Sequence, residues 1–188
     1  MRIIAGIAKS RKLKMIRGIS IRPMLDSIKE SIFNIIRDRI IGADVLDLYA
    51  GSGNLCLEAI SRGANSGVLI DKSGVAYKLI NENACLVGFN SMIKIIRMDV
   101  FDAIDFLGKN AYKFRIVFSD PPYNCKLSEN TLKNIAENNI LDKDAIIIAR
   151  HHKKEDIPTE INIEQKQALK LFDRRVYGDA IISFYIAV

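Results

Sequence analysis

The stretch Asp44-Val45-Leu46-Asp47-Leu48-Tyr49-Ala50-Gly51-Ser52-Gly53-Asn54 decides the fold. Its first half is a short apolar run of the kind a parallel sheet buries on both faces. Its second half is a glycine turn ahead of a helical pattern that continues to Arg62. Ligands of open α/β sheets bind beyond the carboxyl ends of the strands, so the turn Ala50-Gly51-Ser52-Gly53 faces the ligand. Gly51 and Gly53 let the backbone approach that ligand with no Cβ in the way. A dinucleotide fingerprint needs a third glycine three residues after Gly53, and Cys56 stands there. The G-K-[ST] of a phosphate loop is absent as well, which disfavours phosphate-bearing cofactors.

Outward from this turn the chain alternates strand-like and helix-like segments. Upstream, Ile28, Ile32, Phe33, Ile35, Ile36 and Ile40 recur at helical spacing, which predicts a helix over Asp26–Ile40 with Asp26 as its N-cap. Downstream come GVLID, a helix over Val75–Val87, IKIIRMD, a short helix near Ala103–Leu107, RIVFSD, a helix around Thr131–Asn138, and AIIIAR. Two strands, Gln167–Phe172 and Ala180–Val188, close the pattern across a turn read at DRRVYG. This order predicts a mostly parallel sheet covered on both faces, with one antiparallel strand near an edge.

Carboxylates follow the strands. Asp71 closes the second strand, twenty residues after Gly51, where it can accept both hydroxyl hydrogens of a ribose. Asp99, with Val100 beside it, ends the third strand at a position suited to an adenine amino group. Asp47 lies inside the first strand, placed to meet a cationic amino-acid end directly or through water. A ribose, a purine and a cation together describe S-adenosylmethionine. No metal site is expected.

The sharpest signal is Asp120-Pro121-Pro122-Tyr123 at the end of the fourth strand. Two prolines fix φ and remove two N–H donors, so the segment displays carbonyls. A target NH₂ offers two hydrogens, which the Asp120 carboxylate and the Pro121 carbonyl can accept. That grip disfavours conjugation and aims the nitrogen lone pair at an activated methyl group, without a strong base. Tyr123 offers a ring on which an unstacked base can lie.

Charge points to the same class of substrate. The net charge is +6, and residues 1–30 carry eight basic side chains against two acidic ones, so the remaining chain balances at 20 and 20. The surplus marks Arg2, Lys9, Arg11, Lys12, Lys14 and Arg22 as candidate RNA contacts, with Arg17 and Lys29 in the same count. Cys56, Cys85 and Cys125 show no ligand spacing and suit a reducing cytosol. No apolar run approaches a membrane span. His151 and His152 are read as facing solvent or RNA, because adjacent side chains point apart in an extended chain.

These motifs resemble a known family. D-P-P-Y looks like motif IV of amino-group methyltransferases, and D-L-Y-A-G-S-G (Asp47–Gly53) looks like their motif I. RIIAG (Arg2–Gly6), RKL (Arg11–Leu13), IRPMLDSIKESIFNII (Ile21–Ile36), EAISRGA (Glu58–Ala64) and RRVYGDAIISFY (Arg174–Tyr185) are similar to bacterial 16S rRNA guanine-N2 methyltransferases, the RsmD family. The chain departs from the family pattern at Ala8-Lys9-Ser10, Met24, Lys29 and Ala180. The resemblance implies a Rossmann-like methyltransferase fold with a seven-stranded sheet and a small N-terminal β extension. It implies one domain over 1–188, with a basic extension over 1–24 and a catalytic core over 25–188. It also implies S-adenosylmethionine as donor and the N2 amine of one 16S rRNA guanine (guanine 966 in the usual rRNA numbering) as acceptor. The partner expected is 16S rRNA within the small ribosomal subunit or an assembly intermediate, met by a cytoplasmic monomer with no membrane. An adenine-N6 methyltransferase acting on DNA or RNA shares the D-P-P-Y chemistry and is the nearest rival. A non-catalytic RNA-binding module would have no use for that motif or the cofactor turn.

Overall fold

A computed structural model describes residues 1–15, 24–122, 127–164 and 166–188. The strands are β1 (Asp44–Leu48), β2 (Ser66–Ile70), β3 (Ile93–Ile96), β4 (Phe114–Ser119), β5 (Leu141–His152), β6 (Glu160–Ile161), β7 (Leu169–Tyr177) and β8 (Ala180–Ala187). The helices are α1 (Asp26–Ile36), α2 (Asn54–Ser61), α3 (Gly74–Val87), α4 (Val100–Lys109) and α5 (Leu127–Glu137). The strands form one sheet in the order β3-β2-β1-β4-β5-β8-β7-β6, with β1 to β5 mutually parallel. β8 runs antiparallel to β5, and β7 and β6 each reverse again. This is the expected doubly covered α/β sheet, with a two-residue eighth strand, β6, that the sequence reading did not contain.

Both faces of the central strands are buried, which is why they read as unbroken apolar runs. Val45, Ile116, Phe118, Ile146 and Ile148 pack under α1, α2 and α3. Their neighbours Leu46, Leu48, Val117 and Ile147 pack under α4 and α5. Each strand thus alternates between two cores at the period of two that a pleated backbone dictates.

Local details correct several expectations. The first helix ends at Ile36 and tightens into a 3-10 turn over Arg37–Ile40, with Arg37 at φ 36°. Asp26 is the first helical residue rather than the cap, and its carboxylate accepts from Arg2 Nε at 3.1 Å. α4 is twice the expected length, because Asp99 caps it by accepting from Phe101 N–H at 3.1 Å. DRRVY is not a turn but the end of β7. The reversal is confined to Gly178 at φ 62° and Asp179, since a two-residue hairpin turn requires a left-handed backbone and glycine supplies it.

Residues 1–15 double back along α2. Arg2 and Lys12 form an antiparallel bridge, and Ile3 N–H donates to Arg11 O at 3.0 Å. Ile3, Ala8 and Leu13 bury their side chains in the core. The Glu58 carboxylate receives Ile4 N–H at 2.7 Å and Ala5 N–H at 3.0 Å. Fully buried Lys29 completes the knot, donating to Arg2 O, Asn54 Oδ1 and Glu58.

Candidate active site

The glycine turn is built as the sequence implied. Tyr49 (φ 62°), Gly51 (φ 57°) and Gly53 (φ 75°) all take left-handed backbone, and Gly53 N–H closes the turn on Ala50 O at 2.8 Å. A Cβ on Gly53 would press to 3.1 Å of Leu69 and 3.3 Å of Ile80, so only glycine both bends and fits there. Ala50 is anchored to β2 through Ile70 O at 2.9 Å, and Ser52 O accepts from Asn83 Nδ2 at 2.9 Å. Asn83, fully buried on α3, also bonds both backbone groups of Lys14. It thus ties the N-terminal segment to the glycine turn, a role that no sequence motif announced.

The strand-end carboxylates gather at this edge of the sheet in different states. Asp71 accepts Gly51 N–H through Oδ2 and Ser73 N–H through Oδ1, both at 2.9 Å. Asp47 is buried and accepts Cys56 N–H at 3.1 Å. Burial pushes its carboxyl up to about 8, and the charges of Asp120 and Asp71 add to the rise while the Cys56 amide opposes it. Asp99 is exposed, caps α4 ahead of buried Val100, and lies 3.9 Å from Lys72 Nζ. The cap uses Oδ1, and Oδ2 is the oxygen that lies near Lys72.

Asp120 follows β4 directly, with Pro121 buried and Pro122 exposed after it. The sequence reading missed its partner. Arg150 of β5 places Nη1 3.0 Å from Asp120 Oδ2 and 3.3 Å from Oδ1. Burial pushes the Asp120 carboxyl up and Arg150 holds it back. Tyr123 and Arg22, both proposed from the sequence, lie outside the described residues, as do Arg17 and Cys125.

The histidine reading needs correction. His151 is buried, with Nε2 2.9 Å from Ser183 Oγ and Nδ1 3.2 Å from His152 O. Its position on β5 points it into the β5–β8 layer, and burial lowers its basicity further. His152 is only partly exposed.

The basic segment also sorts itself. Lys29 belongs to the buried knot and offers nothing to RNA. Arg2 pairs with Asp26 at 3.1 Å and Lys14 with Glu82 at 2.8 Å, all at the surface. Lys9, Arg11 and Lys12 are exposed. Because the hairpin runs along α2, Gly6 and Lys9 sit beside Ser61 at the far end of that helix. Arg2, Lys12 and Lys14 lie nearer the glycine turn. Eight helical residues separate the two ends by about 12 Å.

Comparison with known proteins identifies the family. The chain is 35% identical over 185 residues to the putative rRNA methyltransferase YlbH of Bacillus subtilis (strain 168), covering 98% of each. It is 31% identical over 189 residues to ribosomal RNA small subunit methyltransferase D of Escherichia coli (strain K12), covering 96% of this chain and 93% of the relative. The solved structure of the putative methyltransferase yhhF from Escherichia coli superposes with a TM-score of 0.84 at 28% identity, covering 100% of this chain and 97% of that one. The model of the family described as conserved hypothetical protein 95 matches residues 1–186, and the chain belongs to that family, the RsmD family that its motifs resemble.

Proposed function

We propose that this chain is an S-adenosylmethionine-dependent methyltransferase that modifies the N2 amine of a guanine in 16S rRNA. The observation that carries the reading is the half-buried Asp120 carboxylate at the carboxyl end of β4, on the edge of the sheet that also holds the glycine turn and Asp47. The names of the relatives, which specify rRNA and the small subunit, support the substrate class. We further read residues 1–188 as one domain acting as a cytoplasmic monomer, on 16S rRNA in the small subunit or an assembly intermediate.

The cofactor fits the residues present. Left-handed Gly51 and Gly53 bend the turn, a Cβ on Gly53 would crowd Leu69 and Ile80, and Asp47 is a buried acid with no cation of its own among the described residues. Asp71 and Asp99 would hold the ribose and the adenine, beside Val100, and Asp47 the cationic end. S-adenosylmethionine supplies, when bound, a methyl group already activated by its sulfonium. Asp120 and the Pro121 carbonyl accept the two amine hydrogens and orient the nitrogen lone pair. As the new N–CH₃ bond forms, the amine gives up one proton to water by way of the Asp120 carboxylate.

The test is 16S rRNA from a bacterium that lacks its own enzyme, incubated with the purified protein and tritiated methyl donor. Nucleoside mass spectrometry is expected to show N2-methylguanosine. N6-methyladenosine in its place would overturn the substrate reading.

A further inference from the structure

Among the described residues, Arg150 is the cation paired with Asp120, and the strand register puts it there. β4 and β5 pair in parallel with Ser119 opposite Ala149, so the next residue on each, Asp120 just past the end of β4 and Arg150 still within β5, stands at the same level. The Arg150 side chain is 11% exposed and that of Asp120 27%, so the pair is largely withdrawn from solvent. Such a pair is far less screened than a surface one. Among the described residues, the charged groups that interact with Asp120 are Arg150 from β5, which pairs with it, and Asp47 from β1, whose carboxyl the Asp120 charge raises. Burial favours a protonated Asp120, and a protonated carboxyl presents an O–H donor where the target amine needs an acceptor.

We propose that Arg150 is the positioning residue of the methyl-transfer site: it fixes the orientation of the Asp120 carboxylate and keeps it an acceptor for the target amine. The role rests on the reading of Asp120 as the group that grips that amine. Arg150 holds both carboxylate oxygens through the single nitrogen Nη1, at 3.0 and 3.3 Å. Each oxygen therefore keeps lone-pair capacity for an amine hydrogen. This bond also locks the plane of the carboxylate, so the acceptor is aimed before the base arrives.

The experiment compares Arg150→Met and Arg150→Lys with the wild type as whole proteins, with circular dichroism as the check on folding. The first readout is the carbon-13 titration of the Asp120 carboxyl, assigned from the signal that disappears in Asp120→Asn. The second is the pH profile of kcat/KM on 16S rRNA. Arg150→Met should raise the Asp120 midpoint by about one unit or more. The acid limb of the profile should move up with it, losing about tenfold in rate on that limb, while Kd for the cofactor stays within about twofold. Arg150→Lys should recover most of the shift, because it keeps the charge and can offer one nitrogen to the carboxylate, as Nη1 does. An unshifted midpoint in Arg150→Met, or a rate that falls equally at all pH values, overturns the proposal. A shifted midpoint with no methylated guanine from the wild type overturns the substrate reading instead, and leaves the Arg150–Asp120 pair as found.

Discussion

The Asp71 carboxylate bridges two backbone amides, taking Gly51 N–H on one oxygen and Ser73 N–H on the other, each at 2.9 Å. It therefore braces the glycine turn from just past β2 and holds Ser73, the residue that caps α3, apart from anything it does for a ribose. Asp71→Ala should lower the affinity for S-adenosylmethionine by about 1.5–3 kcal/mol and cost roughly 1 kcal/mol of folding stability through the missing amide bonds. Calorimetric titration and urea denaturation would measure the two effects separately. Unchanged affinity would leave Asp71 as a brace alone.

Asp120→Ala should reduce methyl transfer by more than about tenfold, which is ~1.4 kcal/mol of transition-state stabilisation, while cofactor affinity changes only a few-fold. The substitution removes the carboxylate that Arg150 Nη1 holds at 3.0 Å. Tritium transfer on 16S rRNA and cofactor titration on the same preparation give the answer. Retention of full activity would remove Asp120 from the chemistry.

Asp47 should make stability depend on pH. Its carboxyl stands at about 8 in the folded chain, against roughly 3.9 when unfolded. Between those values the folded protein holds a proton that the unfolded chain has released. Stability contributed by this group is thus full below pH ~4 and declines as pH rises toward 8. Asp47→Asn keeps an acceptor for Cys56 N–H, so its advantage over the wild type should grow with pH to a few kcal/mol near pH ~8.5. Urea denaturation from about pH 5 to 9 would show it. A cationic cofactor end favours ionised Asp47, so binding near pH ~7 should release a proton, seen as buffer-dependent heat. A pH-independent difference between the two proteins would mean that Asp47 is already ionised.

Lys29→Met should cost about 3–5 kcal/mol, since it leaves the fully buried Glu58 carboxylate without one of its two cations. Asn54 and the Arg2 carbonyl lose their donor in the same change. Chemical denaturation is the measurement. A cost below about 1 kcal/mol would show that Arg62 and the two backbone amides suffice for Glu58.

Replacement of Lys12 and Lys14 by Gln should weaken binding to a 16S fragment. The slope of log K against log salt should become shallower by roughly 0.7 for each phosphate that is no longer neutralised. Lys9→Gln should change the slope less, because Lys9 sits beside Ser61 at the far end of α2. Cofactor affinity should hold in all of these variants. Equal effects at Lys9 and Lys12 would mean that RNA covers the whole hairpin.

The sequence by itself determined the α/β sheet, the glycine turn and the order of its carboxylates. Each of these is a local pattern: apolar runs bounded by Gly51 and Gly53, and Asp71 and Asp120 standing directly after strands. Periodicity and turn chemistry act over a few residues, so they can be read one segment at a time. Only the tertiary structure decided which charges meet. Arg150 reaches Asp120 across 30 residues because β4 and β5 pair in one register, and a shift of one residue would turn Arg150 to the other face. Lys29 counted as a basic residue in the sequence, yet it is a core group held by Glu58. His151 looked solvent-facing, but the antiparallel return of β8 covers it with Ser183. Burial and register are properties of the packed sheet, and among the described residues they turned a uniform basic surplus into one structural knot, two surface pairs and the exposed trio Lys9, Arg11 and Lys12.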